Sequence, residues 1–121
     1  MRMDNPVRDK SFRFALRIVR LYRYLKEEKK EYVLSKQVLR SGTAICALIR
    51  ESQYAESTAD FIHKLAIALK EANETDYWIE LLYQSEYLEE KSYHSIHVDI
   101  EELLRLLTSI IKTTKENKKL Q

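Results

Sequence analysis

Apolar residues recur along this chain at alternating spacings of four and three, the period of a helix with one buried face. Val38, Gly42, Ile45 and Ile49 set that rhythm in one segment, and Phe61, Leu65, Ala68, Ala72, Thr75, Ile79 and Leu82 carry it in the next. Ile96, Ile100, Leu103, Leu107 and Ile110 repeat it again, and a further amphipathic stretch runs ahead of all three. The pattern predicts helices over about 9–30, 35–55, 57–86 and 94–115, joined by short polar links. Such a series packs as an all-α, antiparallel, up-down-up-down four-helix bundle. A single domain spans 1–121, with disordered ends at 1–7 and 117–121.

The ends of these helices carry their own signals. Pro6 marks the entry to the first helix, Ser35 is the candidate N-cap of the second, and Ser57 caps the third, with Asp60 as its acidic partner. At about 1.5 Å per residue the third helix approaches 45 Å and projects beyond its neighbours. Ser41, Gly42 and Thr43 fall in mid-helix, where small residues cost helical stability, so they point to a neighbouring helix in close approach.

In the first helix Phe14, Ala15, Ile18, Val19, Leu21, Tyr22 and Leu25, with Phe12 and Leu16 at the edge, sweep about 220° of the circumference. One bundle occupies a stripe of about 100° or somewhat more, so the excess points to a second copy of the chain.

Composition narrows the function classes. With one glycine, Gly42, and one proline, Pro6, turns that need positive φ are almost absent, and a phosphate-cradling glycine loop is excluded. Cys46 is the only cysteine and falls in an apolar run, as a small core residue would, so neither a disulfide framework nor a cysteine zinc site is expected. Asp60-x-x-His63 and His94-x-x-His97 fall short of the paired Glu-x-x-His pattern of di-metal bundles, and the histidines read as surface residues near helix ends. No metal, cofactor or catalytic constellation is indicated, and the expectation is a non-enzyme. The polar N-terminus has no apolar signal core, and no stretch reaches the ~20 apolar residues of a membrane span, which predicts a cytoplasmic protein that does not engage membranes.

Charge changes the picture more. Residues 1–50 hold 13 Lys and Arg against 5 Asp and Glu (+8), and residues 51–121 hold 8 against 14 (−6). This asymmetry provides either a face for an anionic partner or two faces that meet. On the first helix Lys10, Arg13, Arg17 and Arg20 fall within about 80° of one another, with Tyr24 inside that arc and Arg23 beside it. Guanidinium groups suit phosphates, and an interleaved aromatic can stack on a base, so this stripe is the candidate nucleic-acid-binding site. The competing expectation is that acids of the third or fourth helix occupy it. Glu71 and Glu74, one turn apart, are expected to meet Arg40 or Arg50 and to hold helix register, while Trp78 anchors the core or a subunit interface.

The runs Leu34-Ser-Lys-Gln-Val-Leu-Arg-Ser-Gly-Thr43, Asp60-Phe-Ile-His-Lys-Leu-Ala-Ile-Ala-Leu-Lys-Glu-Ala72 and Glu74-Thr-Asp-Tyr-Trp78 resemble the four-helix bundle proteins encoded in intervening sequences of bacterial 23S rRNA genes. The resemblance extends from Ser11-Phe-Arg-Phe-Ala15 to the leucine-rich last helix, and it implies a bundle assembled as a ring, commonly a homopentamer. A related family, the accessory variability determinant of diversity-generating retroelements, binds nucleic acid and a reverse transcriptase. By that analogy the chain is an oligomeric accessory protein that binds nucleic acid, RNA in particular; the alternative is a protein–protein scaffold or adaptor without nucleic-acid affinity. Cys46 and Leu48 stand where relatives often show a glycine and, two residues later, an asparagine, so no role of that asparagine carries over.

Overall fold

The computed structural model describes residues 5–120, and their regular structure is four helices without strands: α1 Pro6–Glu27, α2 Leu34–Ser52, α3 Thr58–Gln84 and α4 Glu90–Leu120. Each helix lies beside the next in chain order, and α4 closes the bundle against α1 along a thinner seam. Ile18, Leu25, Val38, Ile45, Leu65, Ile79, Leu82, Ile100, Leu103 and Leu107 fill the centre at 0–2% exposure, the four-three positions of every segment. Cys46 belongs to this buried layer, as expected of a small core residue.

The boundaries differ from the expected ones for local reasons. Pro6 opens α1 as its first residue, because its fixed φ suits a helix start and the N–H it lacks would be unpaired there. Asn5 caps that turn by accepting from the Arg8 N–H at 3.1 Å. Residues 6 and 7 are thus helical, contrary to a disordered 1–7, while residues 1–4 and 121 lie outside the described residues. α4 begins at Glu90 and continues through 117–119, so neither the polar run 89–92 nor the basic tail interrupts it. Lys118 and Lys119 in its last turn complement the helix dipole. α4, with 31 residues, is therefore the longest helix, in place of α3 with 27.

Ser57 caps α3 as expected, accepting from the Asp60 N–H at 3.0 Å, while Asp60 accepts from the Glu56 N–H at 3.2 Å. Ser35 does not cap α2. The Glu31 carboxylate does so from three residues upstream of the helix, accepting from the N–H groups of Val33, Leu34 and Ser35 at 3.2, 3.0 and 2.7 Å. Ser35 instead donates its hydroxyl proton to the Glu31 carbonyl.

Positive φ occurs without glycine at Lys30 (55°) and Glu86 (71°), which corrects the inference drawn from glycine scarcity. At the end of α3 the Tyr87 N–H reaches the Leu82 carbonyl and the Glu86 N–H reaches that of Tyr83, a Schellman closure whose left-handed position normally favours glycine. Glu86→Gly is expected to raise stability by about 0.5–1 kcal/mol, measurable by chemical denaturation.

Small residues in α2 serve two neighbours. A Cβ added at Gly42 would lie 2.7 Å from Ile18 Cγ1, so α1 packs against bare backbone there. Ser41 faces α3, where its hydroxyl lies 2.9 Å from that of fully buried Thr75. Thr75 is also 2.8 Å from the Glu71 carbonyl, which can only accept. The single Thr75 proton therefore goes to that carbonyl, and Ser41 supplies the proton shared between the hydroxyls.

Candidate nucleic-acid interface

The cationic stripe of α1 runs along its border with α4, and the fold divides it. Lys10 Nζ meets Glu102 Oε2 at 3.0 Å. Arg17 donates to Asp99 Oδ2 at 2.8 Å, to the Ser95 hydroxyl at 2.6 Å and to the Ser95 carbonyl at 3.3 Å. Ser95, Asp99 and Glu102 recur at four and three along α4, so they form one acidic and polar edge facing α1. Acids of α4 thus occupy two cations of the stripe: Lys10 and Arg17 have partners 92 and 82 positions away. Arg13, Arg20 and Arg23 are exposed and have no carboxylate partner among the described residues. Tyr24 is 37% exposed, and the Lys29 ammonium lies 5.9 Å from its ring centroid.

The two pairs are about one-third exposed on their cationic side, so each contributes at most about 1 kcal/mol. A phosphate could compete for these cations, but the acids beside them lower the local potential.

The charged halves of the chain meet elsewhere too. Arg40 of α2 pairs with Glu74 and lies 3.4 Å from Glu71, and Trp78 Nε1 donates to the same Glu74 carboxylate at 2.9 Å. Glu71 and Glu74 therefore hold α2 to α3 through Arg40. Arg50 has a different contact, 5.1 Å above the Phe12 ring of α1.

Beside the stripe, the thin α1–α4 seam opens a cleft of about 440 Å³. Leu21, Leu88 and Ile96 supply its apolar walls, Arg17, Arg20 and Tyr24 one rim, and Glu89 and Ser92 the other. A second hollow of about 450 Å³, reached by Lys29, Tyr83 and Tyr87, shares Leu88 and Glu89 with it. The charge pattern of α1 signals the rims, whereas the hollows arise only from the meeting of α1, α4 and the 85–89 turn.

The outer side of α3 and α4 carries a cluster that periodicity does not reveal. Tyr83 and Tyr93 stack at 4.2 Å, and Tyr93 stacks on His97 at 5.3 Å. His97, expected as a surface residue near a helix end, lies between Asp76 (Nδ1, 3.2 Å) and Glu101 (Nε2, 3.4 Å). The Asp76–His97 contact is not aligned as a hydrogen bond, so its attraction depends on a positively charged ring. Burial, then the charges of Glu80 and Asp76, push the Tyr93 phenol above its usual range and keep it protonated. The two carboxylates approach opposite nitrogens of His97, and among the described residues no group of three or more donors converges as a metal site would require.

The model of the 23S rRNA-intervening sequence proteins matches residues 3–109. The chain belongs to that family. The chain is similar to a protein of known structure, a protein of unknown function from the S23 ribosomal protein family of Bacteroides thetaiotaomicron, at 60% identity, with a TM-score of 0.88 over 89% of this chain and 96% of that one. No curated protein matches. Among the described residues of this intervening-sequence protein, no helix is long and apolar enough to cross a membrane.

Proposed function

We propose that this intervening-sequence protein is a non-enzymatic, cytoplasmic, homo-oligomeric accessory protein that grips nucleic acid, RNA in particular, by its phosphates. The observation that carries this reading is the exposure of Arg13, Arg20 and Arg23 without carboxylate partners among the described residues. Arg13 and Arg20 are seven residues apart on one line of α1, about 10 Å along its axis, with Arg23 beside them. Lys10 and Arg17 serve as fixed cations of the seam, and Tyr24 adds an aromatic face. An oligomer repeats the set in every subunit, which multiplies a weak and salt-sensitive attraction.

A ring of copies, a homopentamer in the resemblance noted above, is supported by the apolar edge of α1. Phe12 and Leu16 remain 45% and 43% exposed although α1 is packed in its own bundle. Phe12→Glu with Leu16→Glu is expected to yield a monomer of unchanged helicity. Light scattering and far-ultraviolet circular dichroism test this; an unchanged mass removes this edge from the interface.

Arg13→Glu, Arg20→Glu and Arg23→Glu together are expected to lower affinity for bulk RNA by at least about tenfold near 50 mM salt and to flatten the logarithmic salt dependence by about three units per subunit engaged. Binding equal to wild type at low and high salt overturns the proposal. The second reading, a scaffold that recruits protein and ignores nucleic acid, is favoured by the occupation of Lys10 and Arg17. It requires that the wild type show no electrophoretic shift with RNA or DNA even at low salt.

A further inference from the structure

We infer that the α1–α4 cleft receives an unpaired nucleotide, so that the protein prefers single-stranded RNA to duplex; this rests on the nucleic-acid reading above and specifies its ligand. Three features of the cleft point the same way. Its cations differ in freedom: Ser95 and Asp99 hold Arg17 against α4, whereas Arg20, less than one turn further on, has no carboxylate partner among the described residues and can follow a phosphate at the mouth. Tyr24, one turn beyond Arg20, offers a partly exposed ring at the same rim. Between the rims lie Leu88 and Ile96, at 8% and 4% exposure, an apolar floor suited to a base or sugar and of no use to a phosphate.

The volume of about 440 Å³ is that of a small-ligand pocket. Lys29, beside Tyr24 and lining the adjoining hollow, continues the track, so cation, aromatic and cation succeed one another as a backbone with interleaved bases requires.

The far rim discriminates. A base can enter only if it is free of its complement, since a paired base presents neither ring face. Glu89 puts a carboxylate across the opening from Arg20, where the phosphates of a second strand would otherwise be drawn.

The test is fluorescence anisotropy on the full-length protein with a short mixed-sequence RNA and with the same strand annealed to its complement. The wild type is expected to bind the single strand about tenfold more tightly, and Tyr24→Ala to remove about that factor for the strand while leaving the duplex unchanged. Tyr24→Phe, which keeps the ring, should restore the preference. Glu89→Lys, at an exposed position, should raise duplex affinity and narrow the gap, and it serves as the second variant should Tyr24→Ala lose helicity. Equal affinities in the wild type, together with a loss on both RNAs when Arg13, Arg20 and Arg23 become Gln, overturn the cleft but keep the phosphate reading. No binding of either RNA by the wild type at low salt overturns both.

Discussion

Gly42→Ala is expected to lower stability by about 1–2 kcal/mol, although alanine is the better helix former by about 1 kcal/mol. The new methyl would lie 2.7, 2.9 and 3.0 Å from Cγ1, Cγ2 and Cδ1 of Ile18. Ile18 is fully buried and β-branched, so its χ1 has one strongly preferred setting in a helix, and two of those atoms are attached directly to Cβ. Either α1 and α2 separate or Ile18 leaves its rotamer. The sign should reverse once Ile18 is truncated. Ile18→Ala alone costs about 2–5 kcal/mol through the cavity it leaves, and adding Gly42→Ala to it should recover about 1 kcal/mol or more. A double-mutant cycle by chemical denaturation measures this coupling. Additive effects would show that Gly42 is tolerated at this position and not required by it.

Glu31→Gln is expected to cost about 2 kcal/mol, an unusually large amount for one residue of a connecting turn. The carboxylate accepts from three backbone N–H groups at the start of α2, a helix with no acidic residue in its first turn. Burial pushes the Glu31 carboxyl up, but the N–H groups of Leu34, Ser35 and Val33 outweigh it and hold the group below its ordinary value of 4.5. Since the folded value lies below the unfolded one, the unfolded chain takes up the proton more readily. The stabilisation is therefore complete above about pH 4.5 and is lost as pH falls through the lowered folded value. The difference between wild type and Glu31→Gln should be constant near neutrality and shrink as acid is added. A difference that grows on acidification would contradict the cap.

Some of these features are legible in the amino-acid sequence. The four-three spacing marks the core residues because a helix buries whatever recurs on one side of it, and Val38, Ile45, Ile49, Leu65, Ile79, Ile100 and Leu107 are buried at the positions it names. Ser57 with Asp60 announces a helix start because capping is settled within four residues. Small residues at 41–43 signal close approach, though not which neighbour each serves. Ends closed by longer loops were not legible: nothing in the composition of 28–35 assigns the cap of α2 to Glu31, since the bond depends on Lys30 turning left-handed to bring the carboxylate back. Glycine scarcity misled for the same reason, because an exposed turn residue such as Lys30 or Glu86 can be held at positive φ at a cost of about 1 kcal/mol.

The candidate interface divides along the same line. Its cations and Tyr24 are evident from a helical wheel of 10–24, but their availability is not. Lys10 and Arg17 meet acids that the chain places about 80 to 90 residues away, and Arg40 meets Glu71 and Glu74 across the opposite seam. The halves of opposite charge thus partly neutralise one another, and within the α1 stripe Arg13, Arg20 and Arg23 keep no carboxylate partner among the described residues.

By itself the sequence determined the helices, the face each one buries and the positions that carry charge, because hydrophobic periodicity and capping act over a few residues. Tertiary structure alone decided which of those charges remain free and where the bundle opens. Electrostatic pairing and the width of a seam depend on distances between helices, and the order of residues along one helix does not contain them.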